Sequence, residues 1–401
     1  MAKRVLDIER VRADTPGVAH VVHFNNAGAA LMPRVVSETV KEHIDLESRI
    51  GGYRAAAEEA NRIDSTYGSI AELLACAPDE IAMHPSATSA WDMAFYGLAA
   101  DLCEGDVILT AQAEYASNYV AYLQVVRRTG CEVKVVPNDE HGQIDVAALE
   151  GMIDSRVRLI GITHIPTNGG LVNPVARVGE VARRHGILYL LDACQSVGQL
   201  SIDVEEIGCD FLSATGRKYL RGPRGTGFLY VRRDALDRLE PAFIDLKAAV
   251  WTAHDAYTLR PDARRFESWE ANIGDQLGLG AAVRYALDLG LDAIEERISQ
   301  LAERLRTRLL DVPGVSVTDL GEKRCGLVSF AHERWDPAQI CPALEQRDIQ
   351  VAASPRQASL LDMDDRGIDS LTRASIHYYN DDDEIERFCE ALAEITLRSP
   401  E

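Results

Sequence analysis

Asp192 and Lys218 are the residues from which chemistry can first be read. Asp192 ends an apolar run, Ile187-Leu-Tyr-Leu-Leu191. Lys218 closes a polar turn, Ser213-Ala-Thr215-Gly-Arg217-Lys218, behind a second apolar run at Phe211-Leu212. Short apolar runs bounded by turn residues read as buried strands. In open α/β sheets, ligands bind at the carboxyl ends of strands. A carboxylate and an amine carried to one rim can hold a small cofactor between them. Taken singly, an Asp after a strand is a turn former or helix cap, and a Lys in a polar loop is a solvated charge. Gln195, Thr215 and Arg217 beside them reverse that weighting.

The combination resembles the pyridoxal phosphate (PLP) site of the class V aminotransferase superfamily, which includes cysteine desulfurases and selenocysteine lyases. The family pattern is Asp-x-x-Gln followed by Ser-x-Ser/Thr-Gly-His-Lys; here Arg217 stands where the family has His. The resemblance implies Lys218 as the lysine that bonds the cofactor and Asp192 as the partner of its pyridine nitrogen. That carboxylate keeps the ring protonated and able to accept electrons from a Cα carbanion. A lysine of ordinary pKa is mostly protonated. Nearby Arg217 and partial burial would favour the neutral, nucleophilic amine.

Strand and helix patterns alternate through residues 80–230, which predicts parallel βαβ units. Before them, residues 34–75 read as two helices broken at Gly51-Gly52-Tyr53-Arg54. After them, 231–265 are less regular. Two amphipathic helices (278–289 and 292–310), two or three strands and a last helix (383–397) form an α+β end. The acidic run Asp381-Asp-Asp-Glu384 reads as a helix start favoured by the helix dipole, not as a metal site. The resemblance implies the fold type I architecture of PLP-dependent transferases, α/β. A large domain (21–265) carries a mixed, mainly parallel seven-stranded sheet flanked by helices. Residues 1–20 and 266–401 form a smaller α+β domain.

The rest of the site follows from the resemblance position by position. In Val21-Val-His-Phe-Asn25-Asn-Ala27-Gly28, Asn25, Ala27 and Gly28 lie at the mouth of the substrate site. Tyr53 and Arg54 belong to the active-site wall. Ser86-Ala87-Thr88 opens a helix near Ser89, where free N–H groups suit a phosphate. Thr215 and Arg217 add to that phosphate site. Tyr115 takes the place of a His stacked on the ring. Tyrosine stacks as well but is a less ready proton shuttle at neutral pH. Gln195 and either Thr167 or Asn168 face the phenolic oxygen. In Phe266-Glu-Ser-Trp269-Glu270-Ala-Asn272, the family's loop reaches the neighbouring subunit's phosphate. Glu270 replaces its Thr, so Glu270 points elsewhere, Asn272 or a backbone N–H serves, and Trp269 walls the substrate pocket. Arg373 forks onto the substrate α-carboxylate.

The chain has 401 residues and a formal charge of −21. No basic surplus exists for nucleic acid or for an anionic membrane surface. The eight cysteines form no Cys-x-x-Cys pair, so no zinc or redox motif is visible. The charged N-terminus lacks an apolar secretory stretch and no run approaches a membrane span. A cytoplasmic homodimer acting on a small amino acid is the expectation.

The family members that build a protein persulfide carry a cysteine on a C-terminal loop. The matching stretch, 353–363, has none. The expected reaction is therefore β-elimination on a cysteine derivative, as in a carbon–sulfur lyase or a desulfurase-like enzyme. The alternative is an aminotransferase or an amino-acid epimerase on the same scaffold, and last a PLP-fold protein that binds without turnover.

Overall fold

The computed structural model describes residues 5–397. In chain order the first elements are α1 (Ile8–Ala13), β1 (Val22–His23), α2 (Arg34–Ile50), α3 (Gly52–Glu58), α4 (Ala60–Leu74), β2 (Ile81–His84), α5 (Ala87–Leu98), β3 (Val107–Ala111), α6 (Ala116–Thr129) and β4 (Glu132–Val136). Then follow α7 (Val146–Gly151), β5 (Val157–Thr163), α8 (Val175–His185), β6 (Leu188–Asp192), α9 (Val204–Ile207), β7 (Phe211–Thr215) and β8 (Gly227–Val231). The remainder comprises β9 (Ala249–Ala253), β10 (Ala256–Leu259), α10 (Ile273–Leu289), α11 (Leu291–Leu310), β11 (Val315–Val317), β12 (Leu327–His332), α12 (Pro337–Glu345), β13 (Ile349–Gln350), β14 (Ala352–Pro355), α13 (Leu360–Asp365), β15 (Ser370–Ser375) and α14 (Asp382–Thr396).

Seven strands form one sheet in the order β2-β8-β7-β6-β5-β3-β4. β8 runs antiparallel to both its neighbours; the other pairings are parallel. Every residue of β6, β7 and β8 is buried, as their mostly apolar runs require of strands covered on both faces. Each buried Leu or Phe among them contributes about 1.5–3 kcal/mol. The register sets Thr163 beside Asp192, and Asp192 beside Ser213. Three strand ends thus deliver polar groups to one rim.

A second, antiparallel sheet has the order β11-β12-β15-β14. The short β1 pairs in parallel with β13, and Asn25 bridges to Ser375 at the end of β15. The N-terminal segment is thereby sewn to the C-terminal sheet. α14 begins at Asp381, which caps it in a reciprocal box with Glu384, the acidic start read from the sequence.

Two details differ from the sequence expectations. The break at 51–54 is a third helix: Gly51, at φ 83°, ends α2, and α3 carries Tyr53 and Arg54 outward before α4. α5 starts at Ala87, because Ser86 caps it by accepting from the Ser89 N–H. Within 231–265 the chain forms the β9–β10 hairpin, nearly all of it exposed. No described helix is long and apolar enough to cross a membrane.

Candidate active site

A cavity opens at the carboxyl rim of the large sheet. Asp192 stands at its floor, ending β6. Its Oδ2 accepts from Asn118 Nδ2 at 3.0 Å and its Oδ1 from the Cys194 N–H at 2.9 Å. Lys218 reaches the cavity from the turn after β7. Burial pulls its ammonium pKa down from the usual lysine value. Arg217 and Arg373 push the same way, and Cys194 and Asp192 oppose them. A neutral amine is the form that bonds a carbonyl and takes a proton.

Ser86, Ala87 and Thr88 close one end of the cavity. They can approach it because residue 227 is glycine. A Cβ there would stand 2.6 Å from the Ser86 carbonyl carbon and 2.8 Å from the Ala87 nitrogen. The start of α5 rests on that bare backbone, with its first N–H groups at the cavity, as an anion site requires. Tyr115 and Thr215 also line it.

Another edge of the cavity is built by β15 and the N-terminal segment. Arg373 is buried between β12 and β14. It donates to Thr167 O at 2.7 Å and to Thr167 Oγ1 at 2.9 Å, and reaches Asn25 Oδ1 at 3.4 Å. Burial lowers its pKa. Its Nε has no partner. Gly28 O accepts from Arg217, and Ala27 O accepts from Gln195 Nε2 at 3.3 Å.

The cavity therefore brings together Ser86, Ala87, Thr88, Tyr115, Thr167, Asp192, Gln195, Thr215, Arg217 and Lys218. Asn25, Ala27, Gly28 and Arg373 stand at its edge through the bonds above. Thr167, not Asn168, faces the cavity; Asn168 is turned into the protein, where its Nδ2 donates to Asp362 at 2.7 Å. Asn272 is exposed and spent on capping α10, accepting from the Asp275 N–H. Tyr53 is 87% exposed, and Arg54 pairs with Glu58 on the same face. Trp269 is 58% exposed and Glu270 is exposed beside it. Within one chain, these last residues stand away from the cavity.

Sequence reading passed over Thr163, Ile165 and Cys194, all on the wall, and Glu114 and Asn118 beneath it. Two signals were available. Asn118 follows Glu114 by one helical turn, and Cys194 lies inside the Asp-x-x-Gln pattern.

The residues present fit PLP on three counts. A carboxylate and an amine, Asp192 and Lys218, line the same cavity. A helix start is seated where only glycine permits it. Gln195 Oε1 and Arg373 Nε are buried polar atoms without partners in the protein, which buried groups rarely tolerate.

Comparison with known proteins agrees. The chain is 30% identical over 394 residues to a probable cysteine desulfurase of Methanothermobacter thermautotrophicus, covering 96% of this chain and 98% of that one. It superposes on the apo cysteine desulfurase of Thermococcus onnurineus NA1 with a TM-score of 0.91 at 27% identity, over 98% of this chain and 99% of that one. The cystine C–S lyase C-DES, solved with its reaction product cysteine persulfide, matches with a TM-score of 0.85 at 26% identity, over 96% and 100% of the two chains. A C-DES variant holds glycine covalently linked to its PLP cofactor. The family described as class-V aminotransferase matches residues 21–388, and with that cavity the chain belongs to this family, as a PLP-dependent enzyme.

Proposed function

We propose that the protein is a β-eliminating carbon–sulfur lyase of the cysteine desulfurase type, acting on a cysteine derivative without a persulfide on its own cysteines. The observation that carries this reading is the absence of a reactive thiol on the substrate side. The stretch from β14 through α13 has no cysteine. Cys325 is buried, and burial pushes its thiol up to about 12. Cys194 does line the cavity, but burial and then the Asp192 charge push its thiol up to about 12 as well. A thiol held protonated is a poor acceptor of sulfur.

Bound in the cavity, PLP supplies an electron-accepting ring that acidifies the Cα–H of an attached amino acid. Lys218 would hold it covalently, Asp192 would face its ring nitrogen, and Ala87 and Thr88 would meet its phosphate. Arg373 presents its guanidinium to the substrate carboxylate and so fixes which Cα substituent faces Lys218. Lys218 Nζ takes the Cα proton. The β-carbon–sulfur bond breaks and sulfur leaves with the bonding electrons. With water the balance for cysteine is pyruvate, ammonia and sulfide.

The active form is read as a cytoplasmic homodimer, with residues 21–265 as the cofactor domain and 1–20 with 266–401 as the small one. Phe243, Leu246, Trp251, Tyr257 and Trp269 are all at least half exposed within one short stretch of chain. Exposed apolar patches of this kind mark interaction surfaces, and a partner there would bring cover to the exposed 268–272 loop. The eight free cysteines suit a reducing compartment.

The test is to offer the purified holoenzyme cysteine, cysteine sulfinate, S-substituted cysteines and their sulfoxides, with alanine and glutamate as controls. Pyruvate and the sulfur product are assayed together. Pyruvate in step with sulfur release supports the proposal. Conversion to the pyridoxamine form, or racemisation without pyruvate, overturns it in favour of transamination or epimerisation.

A further inference from the structure

We infer that Glu114 is a positioning residue for the cofactor ring: it holds Asn118 against Asp192 and fixes the backbone of Tyr115, a reading that rests on PLP lying between those two residues. Glu114 sits in the turn between β3 and α6 and is 3% exposed. Four donors converge on its carboxylate. Thr110 Oγ1 is at 2.9 Å, Asn118 Nδ2 at 2.9 Å and the Tyr115 N–H at 2.8 Å, and Thr163 Oγ1 is also bonded. The same Asn118 nitrogen donates to Asp192 Oδ2 at 3.0 Å. One amide thus spends both hydrogens on two carboxylates.

A carboxylate accepts and never donates when ionised, so it can serve all four donors. Asn118, the Tyr115 N–H and Thr163 share Oε1, and the Thr110 hydroxyl takes Oε2. Alanine in its place would leave all of them without this acceptor and would free Asn118 from one of the two carboxylates that fix it against Asp192. Burial, and the neighbouring Asp192 charge, push the Glu114 carboxyl up to about 7, with Thr163 and Asn118 pulling it back. A buried acid kept at that cost within one amide of the ring's anchoring carboxylate is more than filler.

The test compares wild type, Glu114→Ala, Asn118→Ala and the double variant as holoenzymes. Two readouts avoid turnover: PLP retained after dialysis, and the visible circular dichroism of the PLP band per bound cofactor. Each single change is expected to weaken retention about tenfold, the loss of one hydrogen bond to a charged group, and to reduce the visible signal. The double variant should be little worse than the stronger single, because both act through one line of bonds. Wild-type retention and dichroism in folded single variants would overturn the inference, as would fully additive losses. If Glu114→Ala fails to fold, Asn118→Ala decides, since it leaves three donors on Glu114. A wild type with no visible band would instead sink the placement of PLP itself.

Discussion

At the ends of β5 and β6, Thr163 and Asp192 stand in register, buried, with their side chains bonded to Glu114, Asn118 and the Cys194 N–H. In the β9–β10 hairpin, Trp251 is 71% exposed and shows its ring to solvent. The rim is finished within one chain. The stretch from 240 to 272 displays apolar groups to solvent. On the homodimer proposed above, holding the cofactor and turning over substrate become separable properties, the first resting on the rim and the second on both regions.

The strongest way to break that division is Lys218→Ala. Loss of the covalent bond and of the proton carrier should cut turnover by more than about 10⁴-fold, while PLP still enters and can be counted by its absorbance. If that variant kept measurable pyruvate release, the rim would not be the catalytic half. Arg373→Gln removes a forked contact to a carboxylate and should cost about 2–3 kcal/mol, or roughly 30- to 150-fold in kcat/KM, mostly as a raised KM. Its PLP content should stay that of wild type.

The exposed region is tested by Leu246→Asp with Trp251→Glu. Sedimentation should show monomer, and turnover should fall about tenfold as a hot-spot contact is lost, with the visible band intact. A fully active monomer would show the region to be ordinary surface. The smallest effect concerns acid. Burial lowers His84 to about 4 and His164 to about 3. Both are neutral when folded, so their contribution is fully present above the unfolded value of 6.5 and is lost as pH falls through the folded values. By pH 5 each contributes about 2 kcal/mol less. Thermal scans from pH 7 to 5 should fall by several degrees, less so in His84→Gln.

The rim was legible in the sequence because its residues cluster near strand ends, where apolar periodicity locates them. Asp192, Gln195, Thr215 and Lys218 lie within one short stretch. Thr167 against Asn168 was not decidable, because in a Gly-rich turn either side chain can face inward; Arg373 and Asp362 decide it by claiming one each. Glu114 was invisible because acids on strand-to-helix turns are common and its importance lies in donors from β3 and β5. Tyr53, Arg54, Trp269 and Asn272 were named by resemblance alone, and a single chain places all four away from the cavity. The exposed hairpin carried no signal of period, since its side chains have no core to face.

Asn25 and Asn26 meet Ser375 and its neighbours across nearly the whole length of the chain. Such distant pairings close slowly, because the intervening loop must be ordered first. As the chain emerges from the ribosome, the first thirty residues wait for β13 and β15 before their own pairings can form. The edge where Asn25 meets Arg373 is therefore closed only when one of the last strands of the protein has been made.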